Sequence, residues 1–380
     1  GTTIVECKKN GIPSIGIESH PMMHFASEVK VDWSIDPDGF MAHSNRVASR
    51  ALEKLESEGI DDNPAVLNTS LIDFDCRNIS EEKQKLLLTN SISPLPLHKT
   101  LVLLECLDTS RNQEYRKHQL LALAKALVYR ISNLNFGPEV GVGPIKKDVP
   151  VVSSWLSEIK AISNDLRLAR LKRNDTYAQV ERGDAREPAE IIGKRVFNAV
   201  ITSPPYPNEK DYTRTTRLES VLLGFIADKA DLKNIKQGLM RSNTRNVYKG
   251  DADHEWVAEF DHIQKIAEEI EQRRIDMRKT SGFERLYAKV TKLYFGGMAR
   301  HLSGLRKVLV PGAKLAYVVG DQASYLQVMI RTGEILSRIA ESLGYQTIGI
   351  DLFRTRLATA TKQQLREEVV ILKWPGTKSS

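Results

Sequence analysis

The sequence predicts an α/β fold, a mostly parallel open sheet flanked by helices and carrying a large helical insertion. Three observations lead to it. An apolar run over residues 196–201 stops two residues short of Pro204-Pro205, as a buried strand does when it empties into a turn that cannot continue the ladder. A second run, Lys314-Leu315-Ala316-Tyr317-Val318-Val319, follows Pro311-Gly312 and ends in Gly320-Asp321. Between residues 40 and 173 the apolar positions recur mainly at helical spacing.

Taken in order, residues 4–11 read as a short helix with a glycine stop, and residues 13–18 as an apolar strand ending in a carboxylate. Helix, glycine, strand and terminal acid form half of a dinucleotide-binding βαβ unit, in which the acid binds ribose hydroxyls. Glu18 is that candidate, although a strand-end glutamate also fits a solvated cap. His20-Pro21 opens a helix through Phe25, Val29 and Trp33. Helices are then predicted over 41–58, 81–88, 100–107, 114–131 and 151–173, with Leu120, Leu123, Ala124 and Leu127 marking a buried face. Pro94 and Pro96 read as breaks between helices. The segment 137–143 reads as a linker, because no strand precedes it and no Lys-Ser or Lys-Thr follows, as a phosphate loop would require.

The sheet resumes over 177–184, ending in Gly183-Asp184, where Asp184 fits an Asx-turn as well as a ligand acceptor. After the strand at 196–201 and its turn come a polar segment at 207–214, a helix at 218–226 and a polar, basic loop at 241–246. A long amphipathic helix is predicted from Trp256, Phe260, Ile263, Ala267 and Ile270, a stripe assigned to the core. It continues through Phe283, Leu286, Val290, Leu293 and Tyr294. A helix at 332–343 stops at Gly344, and closing strands at 347–353 and 367–373 flank the polar stretch 354–366.

At 380 residues the chain has room for one large or two ordinary domains. Its 41% hydrophobic and 27% charged content is that of a soluble globular protein, and no apolar run is long enough to span a bilayer. Cys7, Cys76 and Cys106 stand far apart, which excludes a zinc-ligand spacing or a disulfide framework and suits a reducing cytoplasm. A net charge of +7 fits a polyanionic partner. The basic residues concentrate in two places, Lys236, Arg241, Arg245 and Lys249, and a longer series from Arg273 and Arg274 to Lys307. Arg241, Arg245, Lys249, Arg273 and Arg274 are the candidate phosphate contacts; for the 241–246 loop an ordinary solvated surface fits the composition equally.

Ser203-Pro204-Pro205-Tyr206 after a hydrophobic strand resembles the catalytic motif of S-adenosylmethionine-dependent methyltransferases that act on exocyclic amino groups of DNA bases. A strand-terminating turn with a packed tyrosine is the plainer alternative. The resemblance covers 1–30, 177–225 and 300–375, and it implies a Rossmann-like class I sheet, parallel but for an antiparallel last strand. It implies S-adenosylmethionine as cofactor, DNA as partner and a cognate restriction enzyme as a further partner. Ser203, Pro204, Pro205 and Tyr206 would be catalytic, Glu18 would hold the ribose, and Asp184 the adenine amino group. The family's glycine loop typically reads Asp-Pro-Phe-x-Gly-x-Gly-Thr-Thr, so Gly1, Thr2 and Thr3 would be its end; the expectation is a first strand supplied upstream or by a separate polypeptide. Asn198 stands where many relatives carry an acid. Serine at the first motif position is commoner among the cytosine enzymes, which favours cytosine over adenine. An RNA base, or a non-catalytic nucleic-acid-binding relative, is the alternative. The expected organisation is 1–39 and 174–380 as methyltransferase domain, the latter including the basic loop and helix at 236–307, with 40–173 as a helical insertion for target or partner recognition.

Overall fold

The computed structural model describes residues 1–63, 75–137, 139–171, 175–208, 211–357 and 362–376. Helix α1 (Thr2–Lys9) ends at Asn10 and the left-handed Gly11, at φ 72°, as the glycine stop predicts. Strand β1 (Ser14–Glu18) and helix α2 (Pro21–Val31) follow. Helix α3 (Pro37–Ser57) has proline at its start and the Asp36 carboxylate accepting from Gly39 N, which satisfies an end donor. The one-turn α4 (Glu81–Gln84) stops short of the expected residue 88. Next comes α5 (Pro94–Asp108). Pro94 and Pro96, expected to break a helix, open this one instead, since a first turn needs no N–H from them and their fixed φ is already helical.

Helix α6 (Arg116–Ala126) runs into a π turn, Leu127–Ile131. The glycine-rich segment expected to be a linker contributes to an antiparallel hairpin of β2 (Leu134–Phe136) and β3 (Val140–Val142); residue 138 lies outside the described residues. Helix α7 (Val151–Leu171) completes the helical stretch, residues 172 and 173 of the expected helix lying outside the described residues. Strand β4 (Ala178–Arg182) pairs with β1. Ser14 N donates to Tyr177 O and Gly183 N to Glu18 O, so the two strands run the same way.

The remaining elements are α8 (Pro188–Ile192), β5 (Phe197–Thr202), α9 (Tyr212–Thr215), α10 (Arg217–Leu222), α11 (Lys229–Gln237), α12 (Asp261–Asp276), α13 (Tyr287–Leu305), β6 (Leu309–Gly320), α14 (Thr332–Ser342), β7 (Gln346–Leu357) and β8 (Gln364–Lys373). Residues 209 and 210 of the polar 207–214 segment, and 358–361 of the 354–366 segment, lie outside the described residues. Among the described residues no helix is long and apolar enough to cross a membrane.

The chain divides into two units. One holds Gly1–Gly16, Pro21–Val180 and Tyr212–Asn234, so the helical region extends beyond 40–173 on both sides. Its core is built by Phe40, Val47, Ala51 and Leu55 of α3, Val102, Leu103 and Leu107 of α5, Leu123 of α6 and Trp155 and Ile159 of α7. Trp155 is fully buried and its indole N–H donates to Gln119 O at 2.9 Å, which satisfies the one polar atom it brings inside.

The other unit holds Ile17–His20, Glu181–Asp211 and Ile235–Ser380. Its sheet has the order β5-β6-β8-β7, with β5 parallel to β6 and β8 antiparallel to both its neighbours. Apolar residues of β6 and β8 pack on α13 and α14. Strand β5 pairs with β6 alone among the described strands, and Val196 and Ile201 are 61% and 57% exposed beside its open edge. The expected long helix is two helices: Asp253–Val257 is a 3-10 turn, α12 begins at Asp261, and Arg278 takes φ 51° where the chain leaves α12. Trp256, expected in the core stripe, lies on that turn and is 46% exposed, whereas Ile263 and Ile270 are buried as expected.

Candidate active site at the carboxyl end of the strands

Strand β5 delivers Ser203-Pro204-Pro205-Tyr206 at its carboxyl end, beside the end of parallel β6, where Thr202 is in register with Tyr317. Ser203 is exposed, while Pro204, Pro205 and Tyr206 are half-buried. The Tyr206 ring lies against Gly320, the last residue of β6; a Cβ there would stand 2.7 Å from Cε2 and 2.8 Å from Cδ2. Only glycine lets the ring approach the backbone so closely. Past Tyr206 the chain turns through Asn208, at φ 61°. Asn208 N donates to Ser242 O at 2.6 Å and its amide to Ser324 Oγ at 2.7 Å, so two other loops fix the turn.

Glu18 and Asp184 stand at the ends of paired strands, joined by the bond from Gly183 N to Glu18 O. Glu18 Oε1 accepts from His20 N at 2.8 Å. Asp184 makes the Asx-turn that its sequence also fitted, accepting from Arg186 N at 2.9 Å, and holds the Arg186 guanidinium through both carboxylate oxygens. Arg186 is buried and continues to Asp253 at 2.5 Å, which also accepts from Arg300 at 3.0 Å; Arg300 in turn pairs with Glu187. Burial works to lower the Arg186 pKa, but the two carboxylates outweigh it and hold the charge. His301 of α13 closes the loop from below, Nδ1–H donating to Ala185 O and Nε2 accepting from the Tyr317 hydroxyl at 2.8 Å. Burial pushes that imidazole down, so it is neutral and can serve both bonds.

The segment Gln237 to Ser242 links the two groups. Ser19 Oγ, next to Glu18, donates to Gly238 O at 2.9 Å, and Arg186 donates to Gln237 O at 3.0 Å. Four residues on, Ser242 O receives Asn208 N. The carboxylate pair and the Pro-Pro-Tyr turn are thus fastened to one short stretch of chain.

The basic candidates separate. Arg241 is 3% exposed, grips Asp251 with two hydrogen bonds of 2.9 and 2.8 Å, and donates to the carbonyls of Lys236, Gln237 and Leu239. This corrects its reading as a phosphate contact: its charge is spent inside the fold, shaping the linking segment. Arg245 and Lys249 are exposed, and the Arg245 guanidinium lies 6.0 Å from the Phe283 ring centroid. Arg273 pairs with Glu269 and Arg274 with Glu271 along α12, so both are half-buried and locally neutralised. Gly1, Thr2 and Thr3 belong to the helical unit, where Gly1 packs on Ser27 and the threonines start α1. Sequence reasoning missed Arg186, Asp253 and His301, and read Arg300 only as a member of the basic series that ends at Lys307. Arg186 and Asp253 are 67 positions apart, and nothing local marks either one.

No protein-family model matches the chain. It is similar to the type II methyltransferase M.BsoBI of Geobacillus stearothermophilus, 24% identical over 424 aligned positions that cover 99% of this chain and 78% of that protein. It is also similar to the type II methyltransferase M.AvaI of Nostoc sp. and of Anabaena variabilis, 29% identical over 177 positions covering 44% of this chain and 34% of each relative. The chain is a distant homologue of type II methyltransferases.

Proposed function

We propose that the chain transfers a methyl group from S-adenosylmethionine to the exocyclic amino group of a base in DNA, cytosine in preference to adenine, as the modification partner of a restriction system. The observation that carries this reading is that Ser19 beside Glu18, Arg186 held by Asp184, and Asn208 after the Ser203–Tyr206 turn are all hydrogen-bonded to one stretch, 237–242, at strand carboxyl ends, where open α/β sheets bind ligands. The order β5-β6-β8-β7 with an antiparallel β8 supports a Rossmann-like sheet, and homology spanning 99% of the chain supports the chemistry.

An aromatic amine is a poor nucleophile because its lone pair is conjugated with the ring. Ser203 Oγ and the Pro204 carbonyl would accept its two hydrogens and favour the pyramidal nitrogen of the transition state, which is binding realised only there. Tyr206, held on Gly320, would stack on a base swung out of the duplex. When bound, the cofactor supplies an electrophilic methyl group on a sulfonium. Glu18 would accept from its ribose hydroxyls and Asp184 from its adenine amine, two donor groups that suit two carboxylates at adjacent strand ends. The amine proton would pass to water. Arg245 and Lys249, exposed in the loop beyond the turn, would meet backbone phosphates.

Methyl transfer to genomic DNA, measured beside cofactor binding by calorimetry, tests the assignment. Ser203→Ala should lower turnover roughly 10–1000-fold, because the Pro204 carbonyl remains. Tyr206→Ala should lose a stacking face worth about 1–3 kcal/mol. Both should keep cofactor affinity, whereas Glu18→Ala and Asp184→Ala should lose it. Wild-type transfer by the Ser203 and Tyr206 variants would return the turn to a mere strand terminator.

A further inference from the structure

Outside this site, the helical unit carries a cavity of about 420 Å³ lined by His43, Arg46, Val47 and Arg50 of α3 and by the turn Thr109-Ser110-Arg111-Asn112 after α5. Positions 43, 46, 47 and 50 share one helix face, so both α3 guanidinium groups project to the same side. Arg46, Arg50 and Arg111 have no carboxylate ion-pair partner among the described residues, and no acid lines the cavity. Their neighbours in the same unit differ: Lys54 and Arg77 share Glu105, and Arg116 pairs with Asp108.

The floor is polar, ordered and neutral. The Gln119 amide donates to His43 Nδ1 at 2.9 Å, which leaves the hydrogen on Nε2, and Nε2 donates to Ser110 Oγ at 2.9 Å. Burial first, then Arg46 and Arg50, push the His43 pKa down, so the ring adds no charge of its own; Glu114 opposes them weakly. Arg50 Nη2 is steered by Thr109 Oγ1 at 2.9 Å. Three like charges around one concavity repel, and an anion seated among them relieves that repulsion. Guanidinium forks match phosphate oxygens. Val47 is the one apolar side chain of the lining.

We propose that this cavity of the helical unit is a phosphate site for the nucleic-acid backbone; the inference rests on the DNA reading above. The test is fluorescence anisotropy of a labelled duplex over a range of salt, with the full chain as wild type, Arg46→Gln/Arg50→Gln/Arg111→Gln and Arg50→Lys. Each phosphate no longer neutralised should flatten the plot of log affinity against log salt by about 0.9, so the triple variant should lose roughly 1–3 units of slope. Arg50→Lys, which keeps the charge, should keep the slope. If wild type binds duplex and methylates it while the triple variant retains the full slope, the cavity assignment fails and the methyl-transfer reading stands. Absence of both salt-dependent binding and methyl transfer in the wild type overturns both. If inorganic phosphate raises the melting temperature of wild type but not of the triple variant, while the duplex slope is unchanged, the cavity takes a small free anion and the backbone assignment is wrong.

Discussion

Arg186 in the sheet-bearing unit is buried between the carboxylates of Asp184 and Asp253, whereas Arg46, Arg50 and Arg111 in the helical unit surround a cavity with no acid in its walls among the described residues. The same side chain has two uses. A guanidinium already paired inside the fold fixes geometry and has little left to offer a ligand. One without a carboxylate at a concave surface contributes little to position but attracts an anion. Substitutions in the first group should register in stability and those in the second in binding.

The largest expected effect breaks the first group. Arg186→Met strands the Asp184 carboxylate and leaves Asp253, 5% exposed, to Arg300 alone, and should cost about 3–5 kcal/mol in urea unfolding. A loss well below that would mean the network is solvated and does not hold the Asp184 loop. Glu219 on α10 is a second kind of buried charge, 5% exposed and without a cation pair among the described residues. Burial pushes its carboxyl up to about 7 from an ordinary 4.5, against a hydrogen bond to its own backbone. The folded state therefore binds this proton more tightly than the unfolded state, and its stabilisation is present below pH 4.5 and lost as pH rises through about 7. Glu219→Gln should remove that decline and gain up to about 3 kcal/mol above the window, read from unfolding curves at several pH values.

A smaller effect is expected where packing, not charge, sets position. Gly320→Ala forces the Tyr206 ring to move and should cost about 1–3 kcal/mol, with a fall in methyl transfer that exceeds any fall in cofactor affinity. Unchanged turnover would show that the ring's seat on β6 does not matter. The smallest sharpens the contrast with Arg186: Arg46→Gln should change stability by no more than about 0.5 kcal/mol.

Much of the strand framework was legible because strands read as apolar runs closed by Pro, Gly or an acid, as β1, β5 and β6 do; the burial expected of the run at 196–201 is not met, since β5, with an open edge among the described strands, holds no buried residue. Helix α5 was half hidden because Pro94 and Pro96 break a helix interior yet suit a first turn, and spacing alone does not say which applies. The hairpin of β2 and β3 was missed because three-residue strands show no period. At the site, Ser203 to Tyr206 stood out through an unusual dipeptide. Arg241 misled, since a buried arginine and a phosphate-gripping one are spelled alike, and its partner Asp251 lies ten positions on. Gly320 was visible as a strand end, but its contact with Tyr206 exists only once β5 and β6 lie side by side.

The open edge of β5 bears on how the chain behaves in concentrated solution. A strand edge with no ladder partner among the described strands, flanked by exposed Val196 and Ile201, is a template on which another extended segment can add. Its carboxyl end leads into Ser203, so whatever strand docks there runs alongside the turn assigned to methyl transfer. If the turn acts as proposed, copies associating edge to edge would crowd Ser203–Tyr206, and specific activity would fall as protein concentration rises.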